Sequence, residues 1–219
     1  PVIHKQFAEQ FGLAIEYEKY DVKVRNFDRF VSEFFANGGN GLNVTLPHKE
    51  SAFLISSPAN KKVSLAKAVN TLSLDKYGEL TGNNTDGTGL VRDLADNHGF
   101  VTTKKKILIL GAGGAVRGIL PSLIETQPSS ITIANRTMEK AENLQLELGD
   151  RFSLNAMPYE ELGAEMYDLI INGTSMGIDK KTPDIAGAVV SETTVCYDLM
   201  YSTEPTAFMQ WGYEKHVAL

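Results

Sequence analysis

The sequence holds one cysteine, one tryptophan and four histidines among 219 residues, and each scarcity closes off a class of chemistry. Cys196 cannot form an intrachain disulfide. Its place in the apolar run Thr194-Val195-Cys196-Tyr197 reads as a buried strand thiol in a reducing, cytoplasmic compartment. His4, His48, His98 and His216 lie far apart without cysteine neighbours, so no zinc pattern is present and no metal is expected. No apolar run reaches the ~18–20 residues that span a bilayer, and the N-terminus lacks a charged-then-apolar signal, so no membrane partner is expected. Basic surplus is missing too: 21 Lys and Arg stand against 27 Asp and Glu, a net charge of −6. That balance disfavours nucleic acid as a partner. The one basic run, Lys104-Lys105-Lys106, directly precedes a strand and reads as a solvated strand entry.

Hydrophobic residues at 42% and charged residues at 22% suit a folded chain with a real core. The length suits one large domain or two modest ones, and two lobes, 1–86 and 87–219, are expected. Phe27, Phe30, Val31, Phe34 and Phe35 follow helical spacing up to the stop Asn37-Gly38-Gly39. Residues 14–20 alternate weakly as a strand and residues 40–46 form the next, which predicts a β-α-β unit with parallel strands. Residues 58–68 read as a helix, and Val69–Leu74 and Glu79–Thr81 as short strands around Lys76-Tyr77-Gly78. The stripe Leu90, Val91, Leu94, Ala95 predicts a helix that ends near Gly99 and links the lobes. Ile107-Leu108-Ile109-Leu110 is a continuous apolar run, the form of a parallel strand buried on both faces. Helices over 114–126 and 137–148, with strands over 131–134, 168–171 and 194–198, then predict a doubly wound, Rossmann-like parallel sheet. The fold class is α/β throughout.

Three stretches carry chemistry. In Asn43-Val44-Thr45-Leu46-Pro47-His48-Lys49, strand alternation puts Asn43 and Thr45 on one face, with Leu42, Val44 and Leu46 on the other. Pro47 suits the first helical position. Lys49 then falls in a first helical turn, where a cation is unfavourable, so its placement asks for a reason beyond helix stability. In Gly111-Ala112-Gly113-Gly114-Ala115, directly after the apolar strand, backbone N–H groups and a helix N-terminus can receive a pyrophosphate. The strict G-x-G-x-x-G is absent, since Val116 takes the third glycine position. The following strand ends in Asn135-Arg136-Thr137 rather than in a carboxylate. Arg136 offers planar donors to a 2′-phosphate and Lys140 adds charge, so the cofactor is read as NADP rather than NAD. Third, Asp86 in Asn83-Asn84-Thr85-Asp86-Gly87 is either the N-cap of the linking helix or part of a polar cluster with Asn43, Thr45, Lys49 and Asn70. A cleft between the lobes would join that cluster to the nicotinamide.

The segments N-V-T-L-P-H-K at 43–49, A-V-N-T at 68–71, N-T-D-G at 84–87, G-A-G-G-A at 111–115, N-R-T at 135–137 and N-G-T-S-M-G at 172–177 together resemble the shikimate dehydrogenase family. The resemblance runs in order over nearly the whole chain. It implies NADPH-dependent reduction of 3-dehydroshikimate to shikimate, on the route to aromatic amino acids. It further implies that Lys49 and Asp86 form the catalytic pair, and that Asn43, Thr45, Lys49, Asn70, Asp86 and Tyr201 bind substrate. Gly111, Ala112, Gly113, Gly114 and Ala115 would hold the pyrophosphate, and Asn135, Arg136, Thr137 and Lys140 the adenosine phosphate. Asn172, Thr174, Ser175 and Leu199 would border the nicotinamide ribose. The protein is expected as a monomer or homodimer. The family carries a first strand and a Ser-x-Ser substrate motif ahead of Pro1, and a glutamine-bearing helix beyond Leu219. A chain that began at Pro1 is expected to show weak or absent activity. The alternatives are an NAD-dependent relative acting on quinate and an NADP-binding sensor without catalysis.

Overall fold

The Phe27–Phe35 stripe forms a helix as its spacing predicts, within the first of two units, residues 1–39 and 40–219. The computed structural model describes residues 1–149, 152–163, 165–185 and 189–215; His216 lies outside them. The first unit opens on α1 (Val2–Gln10) and ends on α2 (Phe27–Ala36), which stops at Gly38 with φ +88°. The strand expected over 14–20 does not form: residues 13–23 are neither helix nor strand. A strand needs a neighbour to complete its ladder, and this unit contains no other. Aromatic contacts hold the segment instead, with His4 stacked on Tyr17 at 4.3 Å and Tyr20 against Phe30 at 5.1 Å. The parallel β-α-β unit expected here is therefore absent.

The second unit begins with a mixed sheet of order β1-β3-β4-β2, built from β1 (Gly41–Asn43), β2 (Ser57–Pro58), β3 (Thr71–Leu74) and β4 (Leu80–Asn83). β1 pairs antiparallel with β3, β3 antiparallel with β4, and β2 parallel with β4. The strand expected to run to Leu46 stops at Asn43, because β3 begins at Thr71, the partner of Asn43. Val44 still donates its N–H to Asn70 at 2.7 Å. The chain then turns over 45–48 through a cis Leu46–Pro47 peptide, closed by the His48 N–H on the Thr45 carbonyl at 2.9 Å. Pro47 is thus a turn residue rather than the first residue of a helix, and α3 (Lys49–Leu54) starts at Lys49. Leu46 faces solvent at 58% exposure while Val44 is buried, so the predicted alternation fails at its last residue. The helix expected from Pro58 starts later, as α4 (Lys61–Ala66), because Pro58 occupies an edge strand that tolerates its missing N–H. Asn60 caps α4 by accepting from the Val63 N–H at 3.1 Å.

After α5 (Asp86–Arg92), continued by a π-helical turn to Asn97, comes a five-stranded parallel sheet. Its strands are β5 (Lys106–Leu110), β6 (Ser130–Ala134), β7 (Leu154–Met157), β8 (Leu169–Asn172) and β9 (Val195–Asp198), in the order β7-β6-β5-β8-β9. Helices α6 (Gly114–Glu125) and α7 (Met138–Leu148) follow β5 and β6, and α8 (Ala207–Glu214) follows β9. Ile107, Ile109, Ile131, Ile133 and Ile171 pack on one face with Val116, Leu120 and Leu144 of α6 and α7. Leu108, Leu110, Ile170 and Cys196 pack on the other with Phe208 of α8. Burial pushes the Cys196 thiol up to about 12, which leaves it inert. The chain runs outward from β5 in both directions, so the switch point lies beyond the carboxyl ends of β5 and β8.

Candidate active site

Lys49 Nζ lies 2.6 Å from Asp86 Oδ2, across 37 residues of sequence, with both side chains largely shielded from solvent. The other carboxylate oxygen of Asp86 accepts from Asn70 Nδ2 at 2.9 Å, and the same amide reaches Thr85 Oγ1 at 2.9 Å. Asn70 Oδ1 in turn accepts from Thr71 Oγ1 at 2.8 Å and from the Thr85 N–H at 3.2 Å. Asn43, opposite Thr71 in the ladder, donates to its hydroxyl at 3.5 Å. Lys49, Asp86, Asn70 and Asn43 therefore belong to one polar chain. Thr45 stands exposed in the turn ahead of Lys49. Asp86 is the first residue of α5 rather than its N-cap; its own N–H is taken by Asn84 Oδ1 at 2.9 Å. Its carboxylate is left to hold the ammonium.

Close helix packing brings this pair to the glycine-rich turn. A Cβ on Gly118 would lie 2.9 Å from Asp86 Oδ2, and one on Gly87 2.8 Å from Ser122 Cβ, so α5 and α6 approach only because both positions lack side chains. A Cβ on Gly114 would be 3.4 Å from Lys49 Cβ. The N-terminus of α6 is therefore a near neighbour of Lys49. Gly111 adopts φ +103° and lies against the Gly173 backbone, where a Cβ would sit 3.0 Å from its carbonyl oxygen. Around Gly113 the space is open. A tight turn, open backbone and unsatisfied helix N–H groups together fit the diphosphate of a dinucleotide.

At the end of β6, Asn135 donates from its amide to the Thr137 carbonyl at 2.8 Å, and Thr137 precedes the first residue of α7. Arg136 and Lys140 are exposed beside this loop, and no carboxylate stands among residues 135–138. Two cations there fit a 2′-phosphate.

Lys49, Asp86, Ala115, Leu199 and Tyr201 line a cleft of about 430 Å³, a volume in the range of small-ligand sites. Thr85, Tyr197 and Asp198 line it as well and were not anticipated from sequence. The available signal was position, since residues at the carboxyl ends of parallel strands border the ligand crevice. Tyr197 donates to Asp93 Oδ2 at 2.7 Å. Burial, with Asp93 adding to it, pushes the Tyr197 phenol up to about 12, while the Asn97 amide and then the Tyr197 hydroxyl hold Asp93 below the usual carboxylate range. Asn172 is fully buried, Thr174 borders it through its own hydrogen bonds, and Ser175 is exposed at the start of the next turn.

Two family models match the chain: "Shikimate dehydrogenase substrate binding domain" over residues 1–72 and "Shikimate / quinate 5-dehydrogenase" over residues 93–181. The shikimate dehydrogenase (NADP(+)) of Alkalilimnicola ehrlichii is 44% identical over 212 residues, covering 97% of this chain and 78% of the relative. An Ael1 enzyme from Pseudomonas putida superposes with a TM-score of 0.88 at 34% identity, over 100% of this chain and 80% of that one. Shikimate 5-dehydrogenase from Thermus thermophilus, solved with NADP(H) and shikimate, gives a TM-score of 0.84 at 28% identity, over 100% and 80%.

Proposed function

The chain belongs to the shikimate dehydrogenase family, and on that premise we propose how its residues carry the NADPH-dependent reduction of 3-dehydroshikimate to shikimate. The observation that carries the assignment is an ammonium held 2.6 Å from a carboxylate at a cleft wall, beside the first turn of α6. NADPH supplies the hydride when bound. Gly111–Ala115 receive its diphosphate, and Asn135, Arg136, Thr137 and Lys140 its adenosine phosphate. As the substrate carbonyl oxygen gains negative charge, Lys49 Nζ stabilises it and donates a proton. Asp86 keeps that ammonium aimed, and Asn70 fixes Asp86 through the second carboxylate oxygen. Asn43, Thr45 and Asn70 read the ring hydroxyls, for which several placed polar partners give discrimination. Tyr201, on the wall of the same cleft, contributes to substrate binding. Thr174, Ser175 and Leu199 border the nicotinamide, with Asn172 supporting Thr174 from beneath. Residues 1–86 act as the substrate lobe and residues 87–219 as the NADP lobe. Every group named lies on one chain, which suits a monomer or a homodimer alike. The buried, unpaired thiol of Cys196 suits a cytoplasmic setting. Among the described residues no helix is long and apolar enough to cross a membrane.

The test is a matrix of NADP+ and NAD+ against shikimate and quinate, followed spectrophotometrically in wild type and Lys49→Ala. Shikimate with NADP+ should be the best pair, and the variant should lose about 10²–10⁴ in kcat with NADP+ affinity within a few-fold. Turnover unaffected by the substitution would remove Lys49 from the chemistry.

A further inference from the structure

Asn172 and Asp198 end adjacent parallel strands and face each other in register. Asn172 is fully buried. Its Nδ2 donates to Asp198 Oδ1 at 3.0 Å, while its Oδ1 accepts from the Thr174 N–H at 3.1 Å and from Thr174 Oγ1 at 2.8 Å. Asp198 Oδ1 also accepts from the Met200 N–H at 3.0 Å, and its Oδ2 accepts from Thr206 Oγ1 at 2.5 Å. Thr206 caps α8 by accepting from the Met209 N–H at 3.2 Å. Two side chains thus tie down the loop after β8, the bend after β9 and the start of α8. Leu199 and Tyr201, which line the same cleft as Lys49, sit within that bend.

We propose that Asn172 and Asp198 are a positioning pair for the reaction, orienting the two strand-end loops so that Leu199 and Tyr201 face the Lys49 side of the cleft. The inference rests on the activity proposed above. Its logic is the polarity of the two groups. The Asn172 amide uses its donor end towards Asp198 and its acceptor end towards Thr174, and only an acceptor at 198 dictates that orientation. The Asn172 NH₂ and the Met200 N–H are both aimed at Asp198 Oδ1, so without an acceptor at that place both are left unpaired. Turning the Asn172 amide away would set its NH₂ against the Thr174 N–H. A change at the end of β9 is therefore transmitted to the loop after β8. Were this pair merely a buried adhesive, its cost in desolvation would leave little advantage over apolar residues. Its place at the ligand-facing ends of the strands gives it a directional role.

The same polarity supplies the test. Asp198→Ala removes the acceptor that the Asn172 amide, the Met200 N–H and the Thr206 hydroxyl share, and Asn172→Asp sets a second carboxylate against Asp198 Oδ1. Asp198→Asn is the conservative variant: its amide oxygen can take the Oδ1 place and accept from Asn172 and Met200, while its NH₂ donates to Thr206 Oγ1, a hydroxyl that also accepts. Asp198→Ala and Asn172→Asp should each lose about 10–100-fold in kcat/KM for the shikimate substrate, the size of effect that misplacement by ~1 Å produces. NADP+ affinity should change less, and Asp198→Asn should stay within about 3-fold of wild type. In ligand-free protein, amide exchange over 173–175 and 199–201 should quicken in the two disruptive variants and not in Asp198→Asn. The emission of Trp211, the one tryptophan, on the helix that Thr206 caps, should shift in Asp198→Ala and stay in place in Asp198→Asn. Disruptive variants with wild-type kcat/KM, an Asp198→Asn no better than Asp198→Ala, or unchanged amide exchange and emission would each overturn the pair. Should one disruptive variant not fold, the other and Asp198→Asn carry the decision. A wild type without turnover on any substrate pair would instead sink the proposed activity, and the ligand-free readouts would still judge the pair.

Discussion

Lys49 sits at the first position of α3, where the helix dipole disfavours a cation by about 0.3–1 kcal/mol. Glu50 in the same turn offsets part of that, and the contact with Asp86 accounts for the rest of its placement. The side chain is therefore placed for its partner, and its partner is placed by a glycine. A methyl group on Gly118 would lie 2.9 Å from Asp86 Oδ2 and 2.8 Å from Asn84 Nδ2, so Gly118→Ala must push that carboxylate off the Lys49 ammonium. Alanine gains about 1 kcal/mol over glycine inside a helix, while overpacking costs about 1–3 kcal/mol. The two nearly cancel in stability but not in geometry. Turnover should fall at least about 10-fold while Tm moves by less than about 5 °C. A variant with full turnover would show that Asp86 need not stay where it is.

Helices α4, α6 and α7 meet at an ion cluster away from the cleft. Arg117 of α6 donates to Glu147 of α7 at 2.8 Å, and Lys67, which ends α4, lies 3.2 Å from the same carboxylate. The Arg117 hydrogen bond, against the opposing effect of burial, holds the Glu147 carboxyl below its ordinary 4.5, with the two positive charges helping. A carboxylate depressed in the folded state stabilises fully above its unfolded pKa, and that stabilisation is lost as pH falls through the folded one. Glu147→Gln should accordingly lower Tm by about 3–6 °C at pH 7, and the gap to wild type should close below about pH 4. A gap that persisted in acid would mean that Glu147 acts by packing rather than by charge. At this scale the parallel sheet was the most legible part of the sequence. Strands buried on both faces read as unbroken apolar runs, as Ile107–Leu110 does. β7 at the sheet edge, Leu154-Asn155-Ala156-Met157, has neither such a run nor β-branched residues, and it passed unread. Residues 14–20 failed for the converse reason. Alternation along one segment says nothing about whether a second segment will pair with it.

The whole molecule separates what neighbours in sequence can announce from what only folding brings together. A glycine run directly after an apolar strand carries its own context, so the diphosphate turn was legible, as was the lack of a carboxylate after β6. Asn172 and Asp198 stand 26 residues apart, and nothing in the sequence pairs them until the strands align. The cofactor residues proposed here all lie in 40–219, so ligand linkage acts on the unfolding of that unit. NADP+ at about 100-fold its Kd should stabilise by about 2.7 kcal/mol, which raises Tm by about 5–10 °C for a chain of this size. NAD+ lacks the 2′-phosphate that Arg136 and Lys140 are placed to meet. If that contact is worth about 100-fold in affinity, NAD+ at the same concentration sits near its own Kd and shifts Tm by only about 1 °C. Arg136→Ala should bring the NADP+ shift down towards the NAD+ value while leaving the NAD+ shift alone, because it removes a partner only one of the two ligands uses. Equal thermal shifts by both nucleotides in wild type would show that the loop after β6 does not choose between them.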